Sequence, residues 1–349
     1  MNKLTFLIIS LFTILLSLVF PFFLPERFYL DANLIITDPY NEKGLIGSYP
    51  LTMLFYWITY FGKLPFSLVA LIQLPILFYL LQLIGIPKQF GNIGVKNLLI
   101  YLSFLMVGIY IGQPSKEFIT FIFSVLIVFI ITYKRFSLGV TILFSSMAFV
   151  VFGVLFRPYF VFMPIVAFPI YLITKIHFKN RWIMALCLGG LTILLLSFIY
   201  KLTSGDFFSE MTREELNRNR LLAGDSNADT MIVSPIPVTN LFSEAFSILY
   251  GFITVNFPIN GLRFFYKPQV LAFIVWQILI SGIVILRFGN LLSSYPKYKK
   301  ELWLMSFLLA YFIIQGNFEP DLGSAVRHKI GILPIIYYLF YYDDFKRKD

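Results

Sequence analysis

The chain has 349 residues, of which 58% are hydrophobic and 13% charged, with 41 Phe, 21 Tyr and a formal net charge of +10. That usage excludes an ordinary soluble globular domain and fits an all-α, polytopic transmembrane bundle forming one integral membrane domain over 1–349. The single cysteine, Cys187, lies in an apolar run, which excludes a disulfide framework and a cysteine metal cluster.

Apolar runs of spanning length recur at about 5–24, 65–86, 97–112, 118–133, 137–156, 159–174, 182–200, 270–287, 302–316 and 330–342. They predict ten spans, set against the roughly 20 residues a helix needs to cross a bilayer. The first run follows Met1-Asn-Lys3, is too long for a signal-peptide core and lacks a small-residue cleavage site, so it reads as a retained span. A further run at 49–61 is too short to cross comfortably and reads as a re-entrant or interfacial helix, which leaves both termini on one side.

With both ends cytoplasmic, the short inner segments hold 15 Lys and Arg and the short outer segments hold 7. The long 201–269 segment is set aside because long loops follow the positive-inside rule poorly. The positive charge is therefore mostly a topology signal, not a nucleic-acid footprint. The outer side then receives 14 of the 18 acidic residues and every unusual segment of the chain. Function concentrates on loops held by a rigid scaffold, so this asymmetry points to chemistry or recognition outside the membrane.

The first outer loop, 25–64, carries Glu26, Asp31, Asp38 and Glu42, then Gly44-Leu-Ile-Gly-Ser-Tyr-Pro50. A carboxylate here can take the proton of an acceptor hydroxyl, as group transfer to a sugar alcohol requires. Asp31 and Asp38 are equal candidates, although Asp38 before Pro39 equally suits a turn. Next, Gln113-Pro-Ser-Lys-Glu117 joins two spans, with Lys116 and Glu117 in the first turn of a helix. A cation there opposes the helix dipole. Either an anionic ligand at the helix start explains Lys116, or the residue forms a local surface pair with Glu117.

Arg157-Pro-Tyr159 sits between Leu155-Phe156 and Phe160-Val161-Phe162, almost without polar company. A guanidinium stays charged when partly buried and its fork fits phosphate; snorkelling to the interface is the competing explanation. The long loop opens with Thr212-Arg-Glu-Glu215, a capping-box pattern starting a short helix that carries Arg213, Arg218 and Arg220. A turn at 224–229 and a mixed amphipathic run at 241–257 follow, the latter too polar and broken for a span. The arginines either form a solvated face or grip a saccharide or anionic headgroup.

Glu319, Asp321, Arg327, His328 and Lys329 stand between two apolar runs at the lip of a span. Charge at that depth is expensive and marks a functional site by default. Glu319-Pro-Asp321 is weak evidence for a divalent cation. There is no glycine-rich nucleotide loop, zinc spacing or nucleophile elbow, so no cofactor and no metal is expected. His177, among basic residues on the inner side, reads as ordinary loop chemistry. The aromatic richness reads as lipid-facing and interfacial packing.

The first span, the acidic loop, Gly47-Ser-Tyr-Pro50 and the short apolar helix before Phe61-Gly-Lys-Leu-Pro-Phe66 resemble the first external loop of membrane glycosyltransferases of the GT-C type. Within that class the chain is similar to bacterial polysaccharide polymerases of the Wzy type. The likeness rests on Gly112-Gln-Pro-Ser-Lys-Glu117, Arg157-Pro-Tyr159, one long outer loop, and Phe318-Glu-Pro-Asp-Leu-Gly-Ser324 with Arg327-His328. The resemblance implies polymerisation of O-antigen or capsule repeat units carried on undecaprenyl pyrophosphate, at the outer face of the cytoplasmic membrane. It implies an acid of the first loop (Asp31 or Asp38), Glu319, Asp321 or His328 in proton transfer, and Lys116, Arg157 and Arg327 on the pyrophosphate. Arg213, Arg218, Arg220 and Tyr159 would contact glycan, and a chain-length regulator and a flippase would be partner proteins. A single-sugar transferase using a polyprenyl-phosphate donor is the alternative enzyme. A lipid-linked glycan transporter is a third reading, disfavoured by charge-poor mid-span positions and the lack of an internal repeat.

Overall fold

The computed structural model describes residues 1–176, 180–222, 230–294 and 297–346. His177 and the turn expected at 224–229 lie outside them. Among the described residues the regular elements are helical, and the sole β feature is an antiparallel bridge between Met231 and Asp321. The chain forms two compact units, one of 1–161 with 327–349 and one of 162–326.

The first unit contains α1 (Asn2–Phe23), α2 (Leu30–Thr37), α3 (Ser48–Ile58), α4 (Phe66–Ile84), α5 (Val95–Ile111), α6 (Lys116–Thr132) and α7 (Leu138–Leu155). The second holds α8 (Phe162–Ile173), α9 (Arg181–Ser204), α10 (Glu215–Leu222), α11 (Leu241–Asn256), α12 (Pro268–Ser293) and α13 (Lys299–Phe318). Next, α14 (Leu322–Gly331) has residues 322–326 in the second unit and 327–331 in the first, and α15 (Leu333–Lys346) closes the first unit.

Among the described residues six helices, α1, α4, α7, α9, α12 and α13, are long and apolar enough to cross a membrane. Nine of the ten expected spans fall on one helical stretch each, whereas the run at 330–342 is interrupted by a turn at Ile332 between α14 and α15. Four of the helices concerned are shorter: α5 and α6 have 17 residues, α8 has 12 and α15 has 14. At 1.5 Å per residue, 17 residues reach only about 25 Å of a hydrocarbon core about 30 Å thick.

Several long helices are amphipathic in the inverted sense. The buried residues of α7 are Thr141, Ser145, Phe149 and Gly153, and those of α9 are Ala185, Gly189, Ile193 and Ser197, each set repeating every fourth position. On α1 the buried face is Phe6, Ser10, Thr13 and Ser17, while Leu7, Leu11 and Leu15 are exposed. Small and polar inside, large and apolar outside is the pattern of helices in lipid, where close van der Waals packing replaces the hydrophobic drive. Gly108 of α5 shows the use of small residues, since a methyl group there would strike Ser17 and Thr13 of α1.

Aromatic side chains contribute more to the interior than lipid-facing packing alone would require. Phe123 of α6 stacks on Phe152 of α7 with centroids 3.9 Å apart, and Phe104 contacts Phe6, Phe78 and Phe90. In the second unit, α13 is buried over nearly its whole length and packs on α8, α9, α11 and α12.

Two expectations for the long loop are corrected. Its short helix does not begin at a Thr212 capping box: helical backbone is already running at Phe208, and the Thr212 hydroxyl donates back to the Phe208 carbonyl. A wide turn at 210–214 leads into α10. The 241–257 run is not broken either, because α11 is continuous. Asn240 accepts from the backbone N–H groups of Phe242 and Ser243, and the Ser243 hydroxyl accepts from Asn240 N–H, a complete capping box.

Candidate functional site

The site begins at the N-terminus of α6. Ser115, in extended conformation, accepts from the Glu117 N–H at 3.1 Å, and its hydroxyl donates to Glu117 Oε2 at 2.7 Å. The Ser115 N–H is itself held by the Tyr56 hydroxyl of α3 at 3.0 Å, an oxygen that also accepts from Gln73 of α4. Polar side chains therefore fix the end of α6 before any charge is considered. Lys116 and Glu117 follow as buried residues of the first turn.

Glu117 is the hub. Its Oε1 lies 2.8 Å from Arg157 Nη2, 3.6 Å from His328 Nε2 and 4.0 Å from Arg327 Nε. Asp31, in the first turn of α2, lies on the other side of the cations: its Oδ2 is 2.7 Å from Arg327 Nη1 and 3.1 Å from Lys116 Nζ. The Tyr49 hydroxyl donates to Asp31 Oδ1 at 2.9 Å, and Lys116 Nζ sits 3.5 Å above the centre of the Tyr49 ring. Arg157 also donates to the Tyr159 hydroxyl at 3.3 Å.

The electrostatics follow from this arrangement. Burial of the Asp31 carboxyl works against its charge, but Arg327 and Lys116 more than offset it and hold the group below its ordinary value of 3.8. Burial and the neighbouring Asp31 charge push the Tyr49 phenol up, so it remains a hydrogen-bond donor. Two carboxylates face three cations, leaving the described cluster with one surplus positive charge before His328 is counted.

The structure thus gathers Asp31, Lys116, Arg157, Tyr159, Arg327 and His328 in the first unit. Glu117 and Tyr49 complete the group, and sequence reasoning passed over both as site residues. The signal for Glu117 was its place two residues after a helix-capping serine; nothing local marks Tyr49.

The other expected residues are placed differently. Asp38 ends α2 in a left-handed conformation, φ 41°, and pairs with Lys43 at 2.7 Å, so it takes the turn role. Asp321 caps α14 through the Ser324 N–H and pairs with Arg220 at 2.8 Å. Glu319 is buried at the end of α13, where its Oε1 accepts from Gln315 at 3.2 Å.

Arg213 is a correction. It is fully buried, with its donors on Glu214, Ser247 and the Gly316 carbonyl, and therefore cannot meet a glycan. Gly251 makes room for it, since a Cβ there would collide with both Arg213 and the Gly316 backbone. Arg218 pairs with Glu210 on the surface, so only Arg218 and Arg220 of that trio reach solvent. Among the described residues no acid, His and Cys group has the arrangement of a metal site.

Comparison with family models, curated proteins and solved structures gives no match for this chain.

Proposed function

We propose that this protein is a membrane glycosyltransferase of the polysaccharide-polymerase kind. It joins oligosaccharide repeat units carried on undecaprenyl pyrophosphate, as a multi-pass protein of the bacterial cytoplasmic membrane with its site facing outward. The observation that carries the reading is the surplus-positive cluster of Lys116, Arg157 and Arg327 around Asp31 and Glu117, set at the start of a helix. Such a cluster attracts an anion, and fixed cations stabilise a leaving pyrophosphate without reorganising as charge develops.

In the reaction, an acceptor hydroxyl of one lipid-linked unit attacks the anomeric carbon of the growing glycan. The new C–O bond forms as the bond from that carbon to pyrophosphate breaks, and the pyrophosphate departs on its lipid with the electron pair. The hydroxyl proton passes to Asp31 or His328. The pyrophosphate linkage supplies the driving force, so no nucleotide is consumed.

A deletion strain complemented with the wild-type gene tests this reading. Loss of the long-glycan ladder with accumulation of single-repeat glycolipid, restored on complementation, is the expected result. Loss of one sugar from the repeat itself would assign a single-sugar transferase instead.

A further inference from the structure

The two carboxylates of the cluster differ in how firmly they are held. Glu117 has a side chain 1% exposed, is bonded to its own helix cap, and pairs with an Arg157 side chain 6% exposed. Asp31 and Arg327 are the less enclosed pair, with side chains 26% and 25% exposed, although Asp31 Oδ2 and Arg327 Nε are themselves shielded from solvent. Their contact is close but poorly aligned: neither Asp31 Oδ2 nor Arg327 Nε has a hydrogen-bond partner of good geometry. A fork that could engage an anion through two parallel bonds therefore meets Asp31 through a single oxygen at one tip, with Glu117 Oε1 no nearer than 4.0 Å on its Nε side. Asp31 also sits on an eight-residue helix near the start of the first outer loop, whereas Glu117 is part of a 17-residue helix packed on α3, α4, α7 and α15.

We propose that a pyrophosphate-bearing ligand competes with Asp31 for Arg327 and Lys116, while Glu117 keeps Arg157 in place throughout. The idea rests on the transferase reading for the identity of the ligand, and it adds a division of labour. Glu117 is the permanent counterion and Asp31 is a stand-in for the phosphate. The exchange has a chemical consequence, because a carboxylate released by Arg327 and Lys116 is a stronger base than one paired with them. Arrival of the donor would thus prepare Asp31 to take the acceptor proton, so that activation follows occupancy.

The test uses the full chain in nanodiscs with inorganic pyrophosphate as the probe, at fixed ionic strength. Asp31→Asn removes the competing charge and should tighten pyrophosphate binding about tenfold. Tyr49→Phe removes the hydroxyl that anchors Asp31 while retaining the charge, and should move affinity the same way by about twofold to threefold; it serves if the asparagine variant does not fold. Unchanged or weaker binding in both Asp31→Asn and Tyr49→Phe overturns the exchange, as does a lack of pyrophosphate binding by wild type and all variants.

Nanodiscs made with phosphatidylglycerol separate the sources of phosphate. Competition by that lipid equal to that of pyrophosphate would assign the site to a bilayer headgroup and overturn the pyrophosphate assignment. Tighter pyrophosphate binding by Asp31→Asn with an unaltered glycan ladder would sink the transferase role of Asp31 and leave the exchange standing. A lost ladder without tighter binding would do the reverse.

Discussion

Arg157 and Arg327 converge on one oxygen, Oε1 of Glu117, at 2.8 and 4.0 Å, although 170 positions separate them in the chain. Two arginines gathered around a single buried carboxylate make that carboxylate the structural keystone of the cluster. Glu117→Gln preserves shape and removes the charge that faces the buried Arg157 guanidinium at 2.8 Å. A loss of about 3 kcal/mol is expected, since breaking one side of a buried pair leaves the other uncompensated. Thermal melting in detergent measures it, and the Glu117→Gln, Arg157→Gln double variant should be less destabilised than the sum of the two. Strict additivity would show that the pair is not coupled.

Arg327→Lys separates fork from charge. Lysine keeps the cation but cannot present two parallel donors. Under the proposed transferase reading, activity should fall about a hundredfold, the usual cost of losing one preorganised donor to a developing anion, with abundance unchanged by blot. His328→Ala is the companion, expected to lower transfer if the ring moves a proton or positions Glu117. Wild-type ladders from Arg327→Lys at native expression would remove Arg327 from the site.

The pH response has a definite sign. Asp31 is held below 3.8 in the folded protein, so its contribution to stability is complete above that value and is lost as pH falls through its lower, folded value. The melting temperature of wild type relative to Asp31→Asn should therefore be flat from pH 7 to about pH 5, and the difference should shrink below about pH 4. A difference that grew on acidification would contradict the ion pairs to Arg327 and Lys116.

Two glycines of the second unit give opposite expectations. A Cβ at Gly251 meets the Gly316 backbone and Arg213, whereas a Cβ at Gly190 of α9 meets nothing within 4 Å. Gly251→Ala should destabilise by about 2 kcal/mol or more through overpacking. Gly190→Ala should be neutral or stabilising by up to about 1 kcal/mol, the helix-propensity difference. Matched melting curves decide, and equal effects would rule out the close approach of α11 to α13.

Topology is open to direct measurement. Reporter fusions after Leu64 and within 205–229 are both expected to read as external, from the distribution of Lys and Arg. A cytoplasmic signal from either would overturn the proposed outward orientation of the site.

Much of this molecule is written locally. Apolar runs of helical length specify the helices, because a backbone in lipid must satisfy its own hydrogen bonds, and Ser115 and Asn240 mark helix starts through their neighbours in sequence. The isolation of Arg157 among Phe and Leu flagged it without any coordinates. Tertiary structure alone decided which charges meet. It put Asp31 rather than Asp38 into the charged cluster by bringing α2 beside Lys116 and Arg327, and it turned Arg213 from a surface arginine into a core one by packing it against Gly251 and Gly316. Local pattern sets whether a segment is helical and apolar, whereas the partner of a charged side chain depends on which distant segment packs beside it, and spacing along the chain carries no record of that.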